Sequence, residues 1–411
     1  MALHGFLVRM HRWPKYRLPR PAAATIVVTS IAGVFFAAYN PTRKGASQMH
    51  LHNARRRALL KAGAAVGVTG LVGPVLAAAP RQVSITLPWL AQGATSYVYV
   101  AAAQGMFKKR GIDATITRGY GSLTAGQAVG AGKFDFGLVS ASSTLVCAAN
   151  GIPLSALATT NYEAYLGILV RAGSGIRTPK DLEGKRLGCV PSSVEFPFWN
   201  VFASKAGIDE SKVTKVQVDP RVLERLLVQQ QVDACYCVVS TSYAVAKGMG
   251  VDTRAMLLSH YGVSFYSNNI VTRPDRLARD PQLCEAVTDA LLEALAFVAR
   301  DPEAGVDILV KSVPEIGLTK GGRENARLSQ GFMLASLPYP EAIDHGLGYS
   351  DPKRLDEMND LVMRYAVAGK AKRPDTGTLF TNRFIGQSRL SAAEWASVRQ
   401  QNAQYPKLIG T

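Results

Sequence analysis

From residue 83 onward, short apolar runs alternate with segments whose apolar positions recur every three or four residues. Runs at 83–87, 115–118, 134–139 and 154–159 predict strands, and the periodic segments 97–109, 123–129 and 143–149 predict helices between them. Gly111 and the Asn150-Gly151 pair fit helix ends, and Ser122 fits an N-cap. This rhythm predicts a mainly parallel sheet with helices on both faces. A strand-like stretch at 165–171 runs into the polar turn Ala172-Gly173-Ser174-Gly175, and the rhythm starts again. Strands are predicted at 186–190, 213–218 and 234–239, with helices at 194–206, 222–230 and 243–247. One more apolar strand, 265–272, precedes four helical patterns at 282–300, 303–313, 325–335 and 352–367. From Lys370 the chain is polar and contains Pro, so it is expected to wrap the surface.

Two α/β units, two extended crossings and a helical C-terminal tail predict a two-lobed α/β protein with a hinge. The crossings are expected at 165–171 and 265–272. Lobe 1 is then 80–170 plus 270–411, and lobe 2 is 171–269.

Residues 1–79 have a different character. They hold eleven Lys and Arg and no acidic residue; the first carboxylate is Asp113. From Arg55 the order is a basic head, a Gly-interrupted apolar middle and the small residues Ala77-Ala78-Ala79. That is the layout of an export signal, and Arg56-Arg57-Ala58-Leu59-Leu60-Lys61 is similar to the twin-arginine pattern. Periplasmic localisation by the twin-arginine route is therefore expected. No Cys stands at the cleavage zone, which argues against a lipid anchor. The apolar run 22–39 ahead of a complete signal is redundant, so translation is expected to begin at Met49.

The formal charge of +17 comes from 47 basic and 30 acidic residues. Without the eleven leader cations the balance is 36 against 30, or +6. The high pI is thus a property of the leader, and no nucleic-acid partner is expected. The five Cys, at 147, 189, 235, 237 and 284, are too few and odd in number for a disulfide scaffold.

Four stretches resemble a known family. Trp89-Leu90-Ala91-Gln92-Gly93, followed by Tyr97-Val98-Tyr99-Val100-Ala101 and Gln104-Gly105-Met106-Phe107-Lys108-Lys109-Arg110-Gly111-Ile112, is similar to the opening of ABC-importer solute-binding proteins. The similarity is to the group that covers nitrate, sulfonates, taurine and thiamine-pyrimidine precursors. Ala131-Gly132-Lys133-Phe134-Asp135-Phe136-Gly137, then 178–186, then Gln231-Val232-Asp233-Ala234 continue it in the family's order. The resemblance implies a type II periplasmic-binding fold whose lobes close on a small-molecule ligand. It implies a non-enzymatic, monomeric mature protein without cofactor, partnered by an ABC permease with a cytoplasmic ATPase.

In open parallel sheets, ligands bind beyond the carboxyl ends of the strands. Those ends are 88–92, 119–122, 140–143, 191–195 and 240–243. They supply the candidate ligand-binding residues Trp89, Gln92, Tyr120, Ser122, Ser140, Ser142, Ser192, Ser193, Glu195, Ser240 and Tyr243. The serines equally fit helix caps, and Ser192-Ser193-Val194-Glu195 fits a capping box. No Lys or Arg occurs in these five loops, although Arg118 adjoins one. A sulfonate or nitrate ordinarily draws charge-assisted donors, so a neutral or weakly cationic heterocyclic or aromatic ligand is expected.

Cys235 and Cys237 lie two apart on a predicted strand and share a face. Small apolar core residues explain them better than half a metal site, and no metal is expected. Pyrimidine-precursor synthases of the same fold, the enzymatic alternative, need a Cys-rich motif near here and a histidine in the first loop; neither is present. A periplasmic ligand-sensing subunit is a further alternative. No phosphate loop, Gly-x-Ser-x-Gly elbow or His-Glu-x-x-His pair occurs.

Overall fold

The computed structural model describes residues 79–410 except 368 and 370. The expected export signal and start site lie outside the described residues, apart from Ala79. Ten strands follow in chain order: β1 Arg81–Thr86, β2 Ile112–Thr117, β3 Phe136–Ser140, β4 Ser155–Thr159, β5 Leu166–Arg171, β6 Arg186–Cys189, β7 Thr214–Gln217, β8 Ala234–Val238, β9 Thr253–Leu257 and β10 Asn268–Thr272. They form two five-stranded sheets, ordered β2-β1-β3-β10-β4 and β7-β6-β8-β5-β9.

The two sheets share one plan. In the first, β1 pairs parallel with β2 and β3; in the second, β6 pairs parallel with β7 and β8. The strand arriving from the other lobe then inserts antiparallel, β10 between β3 and β4, β5 between β8 and β9. Strand β5 belongs to the second sheet, so the two crossings run just ahead of β5 and β10, around 160–165 and 263–267. The architecture is a two-lobed α/β fold, as expected, with helices against both sheets. Central strands β3 and β10 are buried at every residue, as strands packed on both faces must be.

The helix Pro281–Arg300 anchors the first lobe. Asp280 caps it by accepting from the Leu283 N–H at 3.1 Å, and Pro281 suits its first turn. Its apolar stripe, including Val287, Leu291 and Leu295, packs against helix Ser96–Ala103. The helix Gly322–Ala335 touches both lobes. Gly93 lies so close to it that a Cβ would stand 1.8 Å from the Ala326 carbonyl oxygen. On its other side Phe332 packs against the rings of Tyr165, Tyr243 and Tyr405 at 5.7–6.0 Å.

Two expectations fail here. Strand β9 was not predicted: it lies at a sheet edge, its first three residues are partly exposed, and its apolar pattern is weak. The tail after residue 370 does more than wrap the surface. Leu379, Phe380, Phe384, Trp395 and Val398 are buried in the first core, and Tyr405 and Ile409 in the second. Helix Ala392–Asn402 starts with a capping box from Ser391 and Glu394.

Candidate functional site

A cavity of about 80 Å³ lies where the two lobes meet. The first lobe contributes the segments after β1 and β2 and the end of β3, through Trp89 and Gln92, Ser122, and Ser140. The second contributes the segments after β6 and β8 through Ser193, Glu195 and Ser240–Ser242, and Glu224 from helix Leu223–Val228. Both crossings form its floor, with Asn161, Glu163 and Tyr165 from one and Ser267 and Asn268 from the other. The strand ends gather at this cavity because parallel strands deliver their carboxyl ends, and the helix starts that follow, to the same side.

Local structure explains the serines. Ser140 caps helix Ala141–Ala149, its Oγ accepting from the Ser143 N–H at 3.3 Å. The Ser122 Oγ accepts from the Ser140 N–H at 2.8 Å and donates to the Ser140 Oγ at 3.1 Å. Helix Ser122–Gly130 begins after Gly121, so Ser122 is its first residue rather than its cap. The Ser192–Glu195 capping box does not form. Helix Trp199–Lys205 starts later, and the Ser193 Oγ instead donates to Glu195 Oε2 at 2.5 Å.

The cavity is electronegative. Glu163, Glu195 and Glu224 line it, and no Lys, Arg or His does. Glu195 is 1% exposed, and burial pushes its carboxyl up to about 7, against the Ser193 hydrogen bond and with help from Glu224 nearby. Its Oε1 has no hydrogen-bond partner. Burial also raises Glu224, which accepts from the Ser242 Oγ at 2.6 Å. Burial raises Glu163 as well, opposed by Arg354 and by the Tyr339 hydroxyl, which donates at 3.1 Å. Arg354 itself sits between the rings of Tyr266 and Tyr339, at 4.3 and 4.7 Å, and pairs with Glu341 at 3.1 Å. Close to Glu195, the Trp199 indole N–H and the Tyr236 hydroxyl also lack partners.

Seven of the eleven sequence candidates face the cavity: Trp89, Gln92, Ser122, Ser140, Ser193, Glu195 and Ser240. Four do not. Tyr120 is 53% exposed, its ring beneath the Arg118 guanidinium at 4.5 Å. The Ser192 Oγ donates to the Tyr120 carbonyl at 2.8 Å, so these two residues tie the lobes at the rim. Ser142 is buried against Ser140. Tyr243 turns into the second core, edge-on to Phe332 at 5.7 Å. The residues that sequence reasoning missed sit on the crossings (Asn161, Glu163, Tyr165, Asn268) and on a helix start (Glu224), where no strand-end rule looks. Cys235 and Cys237 are buried in the second core, with Cys237 also forming cavity wall; burial holds both thiols well above the usual range.

Comparison with known proteins gives a consistent picture. The family model described as "NMT1/THI5 like" matches residues 94–305. The chain is 22% identical to the riboflavin-binding protein RibY of Chloroflexus aurantiacus over 331 residues, covering 77% of this chain and 91% of that protein. It is 22% identical to a 4-amino-5-hydroxymethyl-2-methylpyrimidine phosphate synthase of Legionella pneumophila over 238 residues, 57% of this chain and 75% of that protein. In three dimensions it is similar to the alkanesulfonate-binding protein SsuA of Xanthomonas axonopodis pv. citri, with a TM-score of 0.55 and 18% identity, covering 74% of this chain and 98% of that one. The fold is that of the two-lobed type II periplasmic binding proteins.

Proposed function

The chain belongs to the NMT1/THI5-like family, and on that premise we propose that it is an extracytoplasmic solute-binding protein. It captures a small organic molecule between its lobes and delivers it to an ABC importer, a permease with a cytoplasmic ATPase. The observation that carries this reading is the cavity at the lobe junction, walled by strand ends of both sheets and floored by both crossings. A solute placed there touches both lobes at once and stabilises the closed arrangement. The periplasm is the matching compartment, and the twin-arginine-like leader is the proposed route to it.

The charge of the wall narrows the solute. Three carboxyls face the cavity without a cation among its lining residues, and Glu195 Oε1 lacks a donor. A nitrogenous, N–H-rich or weakly cationic heterocycle supplies what that wall lacks. Trp89 and Tyr165 offer flat surfaces for it. The candidate contacts are Trp89, Gln92, Ser122, Ser140, Ser193, Glu195 and Ser240, with Asn161, Glu224 and Asn268 added.

Relatives named as pyrimidine phosphate synthases carry a second reading, an enzyme of this fold. Native mass spectrometry of the protein purified from its own cells separates the two. A stoichiometric organic solute released intact on unfolding supports the binding function. Conversion of a bound precursor to a pyrimidine during incubation sinks it.

A further inference from the structure

A second compartment of about 540 Å³ adjoins the inner cavity and shares Trp89, Gln92, Glu224 and Thr241 with it. Its wall has a different chemistry. Arg118, just after β2, and Arg221 and Arg225, on either side of Glu224, all line it. Arg221 is held by Asp219 through two hydrogen bonds, at 2.8 and 3.0 Å, so its charge is answered. Arg118 and Arg225 form no ion pair among the described residues. The Arg118 Nε is buried without a hydrogen-bond partner, and its guanidinium lies over the Tyr120 ring, 4.5 Å from the centroid. Apart from Glu224, the one carboxylate lining this compartment is Glu315.

A cleft with buried carboxyls at one end and unpaired guanidinium groups at the other is a dipole. Its two ends carry opposite unmet demands: Glu195 Oε1 needs a donor, and Arg118 Nε needs an acceptor. A ligand with one charge satisfies one end and leaves Glu195 Oε1 or Arg118 Nε buried and unpaired, which is costly, while the exposed Arg225 adds its charge at the mouth. We infer that the cleft selects a zwitterionic solute, with a cationic or N–H-rich nitrogenous head at Glu195 and Glu224 and an anionic tail at Arg118 and Arg225. The tail is a planar or tetrahedral oxyanion (carboxylate, sulfonate or phosphate), the groups that a guanidinium fork matches. This inference rests on the solute-binding reading and adds the charge layout of the solute. It also explains how a cavity without cations can belong to a fold whose relatives include an alkanesulfonate-binding protein: here the cations sit one compartment further out.

The test is equilibrium dialysis of the purified protein against a metabolite extract of its own cells, with bound solutes identified by mass spectrometry. The expected solutes carry both a basic or N–H-rich nitrogen group and an oxyanion. Arg118→Gln/Arg225→Gln is expected to lower their retention at least tenfold, and Arg118→Lys/Arg225→Lys to restore part of it; circular dichroism melts confirm that each variant is folded. Enriched solutes that lack an anionic group, or that the double Gln variant retains equally, overturn the inference and leave solute binding standing. No enriched solute at all overturns both.

Discussion

The two lobes follow the same sheet plan yet bring opposite things to the cleft. To the inner cavity the first lobe brings groups that are already satisfied: Ser122, Ser140 and Ser143 are linked through the Ser140 hydroxyl, and the Tyr97 hydroxyl donates to Thr160 at 2.9 Å. The second lobe brings one that is not: Glu195 Oε1 is buried without a partner in the cavity wall, and behind it in the core the Trp199 N–H and the Tyr236 hydroxyl are unpaired as well. Buried polar groups in folded proteins are nearly always paired, so Glu195 Oε1 is an exception in the cavity wall. The first lobe's own unpaired group, Arg118 Nε, faces the outer compartment instead. On the proposed binding function, the second lobe's inner wall is the half whose demand a solute offsets on closure, and Glu195 gives it a pH response.

The largest expected effect comes from forcing the halves apart. Gly121 has φ +127°, and a Cβ there would lie 2.4 Å from the Ser192 carbonyl oxygen across the rim. Gly121→Ala should hold the lobes open and weaken solute retention by more than about tenfold, because only part of the contact set survives. Small-angle scattering with and without cell extract checks it; a variant that still closes breaks the picture of a shared site.

Next comes the unmet carboxyl. Glu195 in the fold titrates near 7 rather than at its ordinary 4.5, so the folded state prefers the proton. The stability this gives is fully present below 4.5 and is lost as pH rises through 7. The solute-free protein should therefore melt lower at pH 8 than at pH 5. Glu195→Gln should raise stability at pH 8 by on the order of 2–3 kcal/mol and flatten most of that slope. Glu224, raised in the same direction, leaves a residual slope. The same variant should retain solute poorly. A wild-type melt that is flat between pH 5 and 8 contradicts the assigned role of the second lobe.

A first-lobe change gives the contrast. Ser140→Ala removes a helix cap and a partner of Ser122, at a cost of about 1 kcal/mol at every pH. Paired denaturation curves at pH 5 and 8 should shift together. If the shift depends on pH, the two lobes are not separable in this way. The smallest effect belongs to Ser192→Ala, which removes the rim bond to the Tyr120 carbonyl. Half-exposed hydrogen bonds are worth about 0.5–1 kcal/mol, so affinity for the retained solute should fall only about two- to fivefold.

The parts of this protein visible in its sequence were those governed by local period. Nine of the ten strands matched runs read from the sequence, the edge strands β2 and β7 among them; β9 escaped because its first half, Thr253-Arg254-Ala255, offers no apolar alternation. The buried tail escaped for a related reason. Leu379-Phe380, Phe384-Ile385 and Trp395 are apolar pairs and a single residue in a polar stretch, too short to carry a period. At the site, strand ends could be read from pattern, which found Trp89, Ser140 and Glu195. Glu163 and Asn268 could not be read, because their position depends on how the two crossings lie beside each other.

Sequence alone determined the two α/β units, the helices that follow and the loops at the strand ends, since each is set by residues close together in the chain. Only the tertiary structure decided the charge of the cleft. Glu163, Glu195 and Glu224 come from three separate segments; Arg225 shares a helix with Glu224, and Arg118 comes from a fourth segment. Electrostatics depends on distance and burial in space, and neither is recorded in the order of residues.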